Sequence, residues 1–313
     1  MKKILLASTV LAMTSTLAAA EITFSGYGRF GLDYDDSATG TESETTISTR
    51  MRVNINASIE TDAGIEFGGR IRLQYSDGQN TDDITPSASY VYAEASGFRI
   101  EVGNANTAYD SAALMYNSEI GFTDRSFGDP NGDYFSFTSV GDDYADDATD
   151  DRMGILVSYS VGDLNVRLSQ VDPDQTDTSD DPELGISADY AFGAVTVSAA
   201  YVDNALGNAT ADALFLGAQY AFNDAGNVGI LYFDYNEAGA GADSTRVTLY
   251  GNYTFGATTV AAYVANDDQL GLTTDTAYGL GVSYDLGGAR AAFDIHQNYS
   301  EDTIAGLGVR FDF

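Results

Sequence analysis

The chain of 313 residues has no cysteine, no tryptophan, four prolines and a single histidine, His296. Absence of cysteine excludes a disulfide framework and any thiolate metal site. Basic residues are scarce: 14 Lys and Arg stand against 47 Asp and Glu, a formal charge of −33, so the chain repels phosphate backbones and nucleic acid is excluded as a partner. Long apolar runs are also missing. Beyond the first twenty residues no stretch reaches the roughly 20 apolar residues of a membrane-crossing helix. High net charge can accompany disorder, but 21 Tyr, 16 Phe and a regular alternation of apolar and polar residues argue for an ordered β protein.

The opening segment has the composition of an export signal. Lys2 and Lys3 precede an apolar core, Ile4 to Met13, and Ala18-Ala19-Ala20 fits a small-residue cleavage site. Residues 1–20 are therefore expected to be a cleaved signal peptide, with the mature domain spanning 21–313 from Glu21. A chain exported in this way is secreted, periplasmic, or inserted in an outer membrane as a barrel.

Parity carries the fold. Between Ile47 and Ile59, Ile47, Met51, Val53, Ile55, Ala57 and Ile59 share one face, while Ser48, Arg50, Arg52, Asn54, Asn56 and Ser58 share the other. A period of two means a strand, and a clean split means two different media. Ile65–Tyr75 repeats the pattern, with Arg70, Arg72 and Gln74 on its polar face. About sixteen such segments run from Ile22–Tyr34 to Ile304–Phe313, an even number, as bacterial outer-membrane barrels have. Tight turns (Gly64, Ser96-Gly97, Gly162, Gly193, Gly256, Gly287-Gly288) alternate with long acidic loops, which an up-and-down membrane barrel shows and a soluble sandwich has no reason to show.

Aromatic residues recur just before the tight turns. They include Tyr159, Tyr190 and Phe192, Tyr220 and Phe222, Tyr253 and Phe255, and Tyr284, all on the apolar parity. Around a barrel these would form one interfacial girdle against outer-membrane lipid. The chain ends on Phe313, also on the apolar parity. In a closed barrel this last strand pairs with the first and leaves no edge.

The rhythm stops between Asn104 and Asp151. A loop this long in a compact domain is either functional or disordered, and its apolar knots, Ala112–Tyr116 and Tyr134–Phe137, favour order. It is expected to fold into the barrel and set the width and charge of the bore. By parity Arg50 and Arg52 share the inner face with Arg70 and Arg72 of the next strand, and Arg29 should stand beside them. Arginine tolerates such clustering in water. Opposite this basic wall the loop would present Glu119, Asp124, Asp129 and Asp133.

Several blocks resemble the sixteen-stranded trimeric general porins of the Gram-negative outer membrane, closest to the purple-bacterial (alphaproteobacterial) kind. They are Ser48-Thr-Arg-Met-Arg-Val53, Thr61-Asp-Ala-Gly-Ile-Glu-Phe-Gly68, Ile100-Glu-Val-Gly103, Gly121-Phe-Thr-Asp124, Tyr278-Gly-Leu-Gly-Val-Ser-Tyr-Asp-Leu-Gly-Gly288 and Leu307–Phe313. The resemblance implies an all-β transmembrane barrel and a homotrimer of water-filled pores. Each pore would be narrowed by its third outer loop and would pass small hydrophilic solutes and ions by passive diffusion. It also implies that the second outer loop, Ser76–Pro86, reaches over a neighbouring subunit. The C-terminal strand ending in Phe313 would be read by the outer-membrane barrel assembly machinery. No cofactor is required. Calcium is a candidate ligand of the loop carboxylates, with Asp129-Pro-Asn-Gly-Asp133 and Asp142-Asp143 as places for it.

The acid excess predicts a moderate cation preference, blunted by the arginine wall. Three other readings compete. An outer-membrane hydrolase would need His296, which falls on the polar parity near Asp294 and reads instead as a solvated bore residue, with no nucleophile elbow in the chain. A substrate-specific porin for sugars would want aligned aromatics on the inner face, to which Tyr90 and Tyr92 could contribute although the outward parity takes most aromatics, and one for phosphate is opposed by a basic patch that is small against the acidity. A secreted soluble β protein is opposed by the girdle and the turn asymmetry.

Overall fold

A computed structural model describes residues 20–40, 42–76, 85–140, 152–177, 181–239 and 243–313. The expected signal peptide, most of the second outer loop and the acidic run from Asp142 to Asp151 lie outside the described residues.

The strands in chain order are β1 (Glu21–Asp35), β2 (Thr45–Glu60), β3 (Glu66–Ser76), β4 (Thr85–Pro86), β5 (Tyr90–Ala95), β6 (Phe98–Gly103), β7 (Met153–Val161), β8 (Leu164–Asp172) and β9 (Glu183–Phe192). They continue as β10 (Val195–Asp203), β11 (Ala211–Asn223), β12 (Gly226–Glu237), β13 (Ser244–Phe255), β14 (Thr258–Asp267), β15 (Thr276–Asp285), β16 (Arg290–Gln297) and β17 (Thr303–Asp312). Among the described residues the only helical piece is a 3-10 turn, Ala205–Gly207.

β4 is a two-residue stub on the rim of β3, so sixteen strands form the wall. Each pairs antiparallel with its chain neighbour, and β1 pairs with both β2 and β17, which closes the sheet into a barrel. The strand expected over Ser87–Ala95 begins at Tyr90. Ahead of it the Ser87 hydroxyl accepts the backbone N–H of Arg72 at 2.9 Å and so replaces a regular ladder bond.

Alternation sorts the side chains. Ile22, Phe24, Phe30 and Leu32 of β1 point out of the barrel and are exposed, while Tyr27 of the opposite parity is buried inside. Tyr159, Tyr190, Phe192, Tyr220, Phe222, Phe255 and Tyr284 are exposed together at the short-turn end, and Tyr190 stacks on Phe192 and Phe222 on Tyr253. At the end of the chain Phe311 lies over Gly28, where an added Cβ would come within 2.4 Å of its ring. The Phe313 carbonyl accepts the N–H of Gly26 at 2.8 Å, and its own N–H donates to the Gly26 carbonyl at 3.0 Å.

The expectation of a polar inner face fails over part of the wall. On β10 to β14 the inward residues include Ala200, Val202, Ala213, Phe215, Leu231, Phe233 and Tyr250, all buried. Tyr109, Leu114, Met115 and Ile120 of the long loop cover them and form one apolar cluster. The loop, not water, is the medium that this stretch of the inner face meets.

Candidate functional site

The loop after β6 runs around the inside of the barrel, and it is held at successive points by inward side chains of different strands. The Ala108 N–H donates to Ser169 Oγ on β8 at 2.8 Å, and the Ala113 N–H to Asp189 Oδ1 on β9 at 2.9 Å. Farther round, the Phe127 N–H donates to the Tyr263 hydroxyl on β14 at 2.9 Å, and the Thr248 hydroxyl on β13 donates to the Gly128 carbonyl at 2.7 Å. The loop then turns back, and the Phe135 N–H meets Glu183 Oε2 at 2.8 Å. Its last anchors are on the other side of the bore, where Arg72 Nη1 donates to Ser139 Oγ at 2.7 Å.

The five arginines named from parity do face inward and do stand together. Arg29 on β1 is the register partner of Arg50 on β2, and Tyr27 of Arg52. On β3, Arg70 and Arg72 pair with Asn56 and Asn54. Among the described residues no wall carboxylate forms an ion pair with any of the five, and Glu101 of β6, which lines the same cavity, is paired with Arg99. Four of the five Nε atoms find a neutral acceptor instead: Arg50 on Ser76 Oγ (2.8 Å), Arg52 on Gln74 Oε1 (2.7 Å), Arg70 on Asn56 Oδ1 (2.8 Å) and Arg72 on Asn54 Oδ1 (2.9 Å), while the buried Nε of Arg29 has no partner among the described residues. Neutral acceptors orient the guanidinium groups without cancelling their charge. Aromatic faces add support, with Arg52 over Tyr27 at 5.0 Å, Arg70 over Tyr90 at 5.7 Å and Arg72 over Phe137 at 4.4 Å.

Two further arginines belong to this wall and were missed. Arg310 on β17 is the register partner of Arg29, and Arg290 on β16 is that of Arg310. Arg290, Arg310, Arg29 and Arg50 thus form one row across four adjacent strands. Their signal lay in the parity of the last two strands, where both fall on the polar face.

The four named loop acids separate. Glu119 is exposed inside the barrel. Enclosure by the surrounding barrel, then the charge of Asp129, pushes its carboxyl up to about 8. Asp129 lies beside β13: its carboxylate accepts from Ser118 Oγ at 2.8 Å, its carbonyl from Arg246 at 2.5 Å, and burial raises its carboxyl to about 7. Asp133 is exposed near Tyr235 on β12, against whose ring Gly132 packs. Asp124 does not stand opposite the basic wall. Its carboxylate is held by Arg290 and Arg310, so it is part of the wall's own charge balance. The loop's turn carries it there, because its neighbours Thr123 and Arg125 are bound to β1, with Arg29 Nη1 on the Thr123 carbonyl at 2.6 Å.

An acid not named as a site residue from the sequence also faces the arginines of β2 and β3. Asp110 shares a cavity of about 710 Å³ with Arg52, Arg70, Arg72, Arg99 and Tyr116. Burial raises its carboxyl, against hydrogen bonds from Tyr116 and Asn106 that lower it. Nothing in its local sequence sets Asp110 apart from the other acids of the loop.

His296 is also placed differently from the expectation. It faces inward but is buried, because Phe127 of the loop packs on it at 5.8 Å between ring centres. Its Nε2 meets Asp294 Oδ2 at 3.0 Å and its Nδ1 the Tyr263 hydroxyl at 2.9 Å, and no serine or threonine hydroxyl is among these partners. For calcium, no group of three or more carboxylate or histidine side chains is assembled among the described residues, and Asp129 and Asp133 are engaged on separate partners. The residues described do not fit a calcium site, and Asp142-Asp143 lie outside them.

Comparison with known proteins comes to the same place. Residues 7–303 match the sequence family described as Gram-negative porin. The chain is 43% identical over 297 residues to a porin of Fuscovulum blasticum, covering 94% of this chain and all of that one. It is 33% identical over 321 residues to a porin of Rhodobacter capsulatus, again covering 94% of this chain and all of the relative. Among solved structures, a double mutant of Rh. blastica porin superposes with a TM-score of 0.88 at 41% identity, covering 94% of this chain and all of that one.

Proposed function

The chain belongs to the Gram-negative porin family and is an outer-membrane channel, and from that premise we propose that its throat is a moderately cation-preferring slot between an arginine wall and the acids of the third loop. The observation that carries this reading is the row Arg290, Arg310, Arg29 and Arg50, continued by Arg52, Arg70 and Arg72, facing a loop that bears Asp110, Glu119 and Asp129. Fixed arginine charges facing carboxyls that ionise as pH rises make a transverse field across a narrow aqueous gap. Ions and dipolar solutes align in it, whereas an apolar solute must displace ordered water without any return.

Over the whole chain 47 acidic side chains outnumber 14 basic ones, and most of the acids fall in the sequence of the long outer connections, the third loop included. They concentrate cations before the throat is reached. Around the throat the arginines oppose this enrichment, so the preference is moderate. The pore acts as a homotrimer, exported through a signal peptide cleaved before Glu21. The support is the family's general trimeric habit and the composition of residues 1–20.

The test is single-channel recording in a planar bilayer under a potassium chloride gradient. Ohmic steps grouped in threes, with a reversal potential of cation-selective sign, are expected. An anion-selective reversal would transfer control of the throat to the arginine wall, and a silent bilayer would mean a plugged barrel.

A further inference from the structure

Every neighbouring pair of wall strands is joined by the chain itself except one. β1 and β17 are not joined by a turn and meet along their ladder, from Tyr27 opposite Asp312 to Asp35 opposite Ile304, with Arg310 also lying over the Tyr27 ring at 4.1 Å. At its short-turn end this seam is closed by the mutual backbone bonds of Gly26 and Phe313. Farther up the barrel it is met by the tip of the third loop.

Four consecutive residues of that tip alternate between the two strands. Phe122, wholly buried, sits on β17 in a notch made by two glycines: a Cβ added at Gly306 or Gly308 would come within 2.9 or 2.6 Å of its ring. Thr123 turns to β1, where its carbonyl accepts from Arg29. Asp124 returns to β17 and is held by Arg310, with Arg290 of β16 as second partner. Arg125 turns again to β1 and makes a two-pronged ion pair with Asp33, at 3.1 and 2.8 Å.

The tip is built to hold this shape. Ile120 and Arg125 exchange both backbone hydrogen bonds at 3.0 Å, which closes a tight turn around Gly121 to Asp124. Gly121 takes a φ of +83°, and a Cβ there would fall on the carboxylate of Asp294, so only glycine fits. Asp124 takes a φ of +54°, a conformation that aspartate tolerates better than most residues.

We propose that Phe122–Arg125 is a clasp across the closing seam of the barrel: the third loop binds the first strand to the last as well as narrowing the bore. The seam is the one place where strands can part without stretching a covalent turn, and a brace that grips both sides resists that parting directly. Anchors elsewhere on the loop, such as Thr248 on Gly128, hold the loop to strands that the chain already connects.

The absence of cysteine makes a clean test available. In the full chain folded in detergent, Phe122→Ala and the double variant Asp124→Asn with Arg125→Gln are expected to lower the temperature of the folded-to-unfolded mobility change by about 5 °C or more. Each background is then combined with one of two engineered disulfides between outward register partners. Leu32→Cys with Leu307→Cys spans the seam, and Leu216→Cys with Tyr232→Cys spans β11 and β12. The seam disulfide is expected to restore the lost stability until reductant is added, and the β11–β12 disulfide is not. Equal rescue by both, or none by the seam disulfide, would overturn the clasp, as would clasp variants that unfold at the temperature of the unmodified chain.

Discussion

His296 donates through Nε2 to a carboxylate oxygen of Asp294, 3.0 Å away, where neither side chain reaches water. A carboxylate can only accept, so this bond places an imidazole proton on Nε2, and Nδ1 shares a hydrogen bond with the Tyr263 hydroxyl. The hydroxyl oxygen in turn accepts the N–H of Phe127. The chain's one histidine thus joins β14, β16 and the third loop in a single satisfied line of hydrogen bonds. Removing it leaves Asp294 buried without its partner, and breaking a buried pair in this way costs about 3–5 kcal/mol. His296→Ala should therefore lower the unfolding temperature, whereas the double variant His296→Ala with Asp294→Ala should recover part of the loss. A double-mutant cycle on thermal unfolding reads the coupling.

The arginine wall predicts the effect of its own neutralisation. A unit charge about 8 Å from a passing ion in water interacts with it by about 0.5 kcal/mol, roughly a twofold change in local ion concentration. Replacing Arg50 and Arg52 by Gln should raise single-channel conductance for potassium chloride and move the reversal potential further in the cation-selective direction. Unchanged values for both would place these arginines outside the throat.

Selectivity should also depend on pH, with a definite sign. Glu119 and Asp129 are raised to about 8 and about 7, chiefly by enclosure. Below about pH 6 both are protonated and neutral, and they become anions as pH passes through 7 and 8. Cation preference should rise between pH 6 and pH 9. Glu119→Gln should abolish the upper part of that rise and Asp129→Asn the lower part, as measured by reversal potentials on each variant.

Ionic strength separates the mouth from the throat. The exposed acids of the outer loops act across open water, where the screening length is about 10 Å at 0.1 M and about 3 Å at 1 M. Their enrichment of cations should fade as salt is raised. The contribution of the wall and loop, facing each other across a narrow gap, should persist. Reversal potentials taken at rising mean salt, at a constant concentration ratio, are expected to fall to a plateau rather than to zero.

Much of this was legible because strand parity is a local property. A period of two in Ile47–Ile59 places Arg50 and Arg52 on one face whatever the rest of the chain does. The tight turns at Gly64, Gly193 and Gly256 fix antiparallel neighbours, so Arg70 and Arg72 fall beside them. Arg290 and Arg310 were legible by that rule too, although only closure of the barrel brings them beside Arg29.

The third loop obeys no such period, and there the tertiary structure decided. Residues five apart in sequence, Glu119 and Asp124, end differently, the first exposed in the bore and the second held by Arg290 and Arg310, because a tight turn redirects the chain between them. Phe215, Leu231 and Phe233 look like exceptions to an inward polar face until the loop is laid over them, and His296 looks solvated until Phe127 covers it. The sequence by itself determined the barrel, its orientation of side chains and the basic wall, through backbone geometry that repeats every two residues. Which acids meet that wall, and which residues stay dry, depended on how one irregular segment packs, and packing is settled by contacts between residues far apart in the chain.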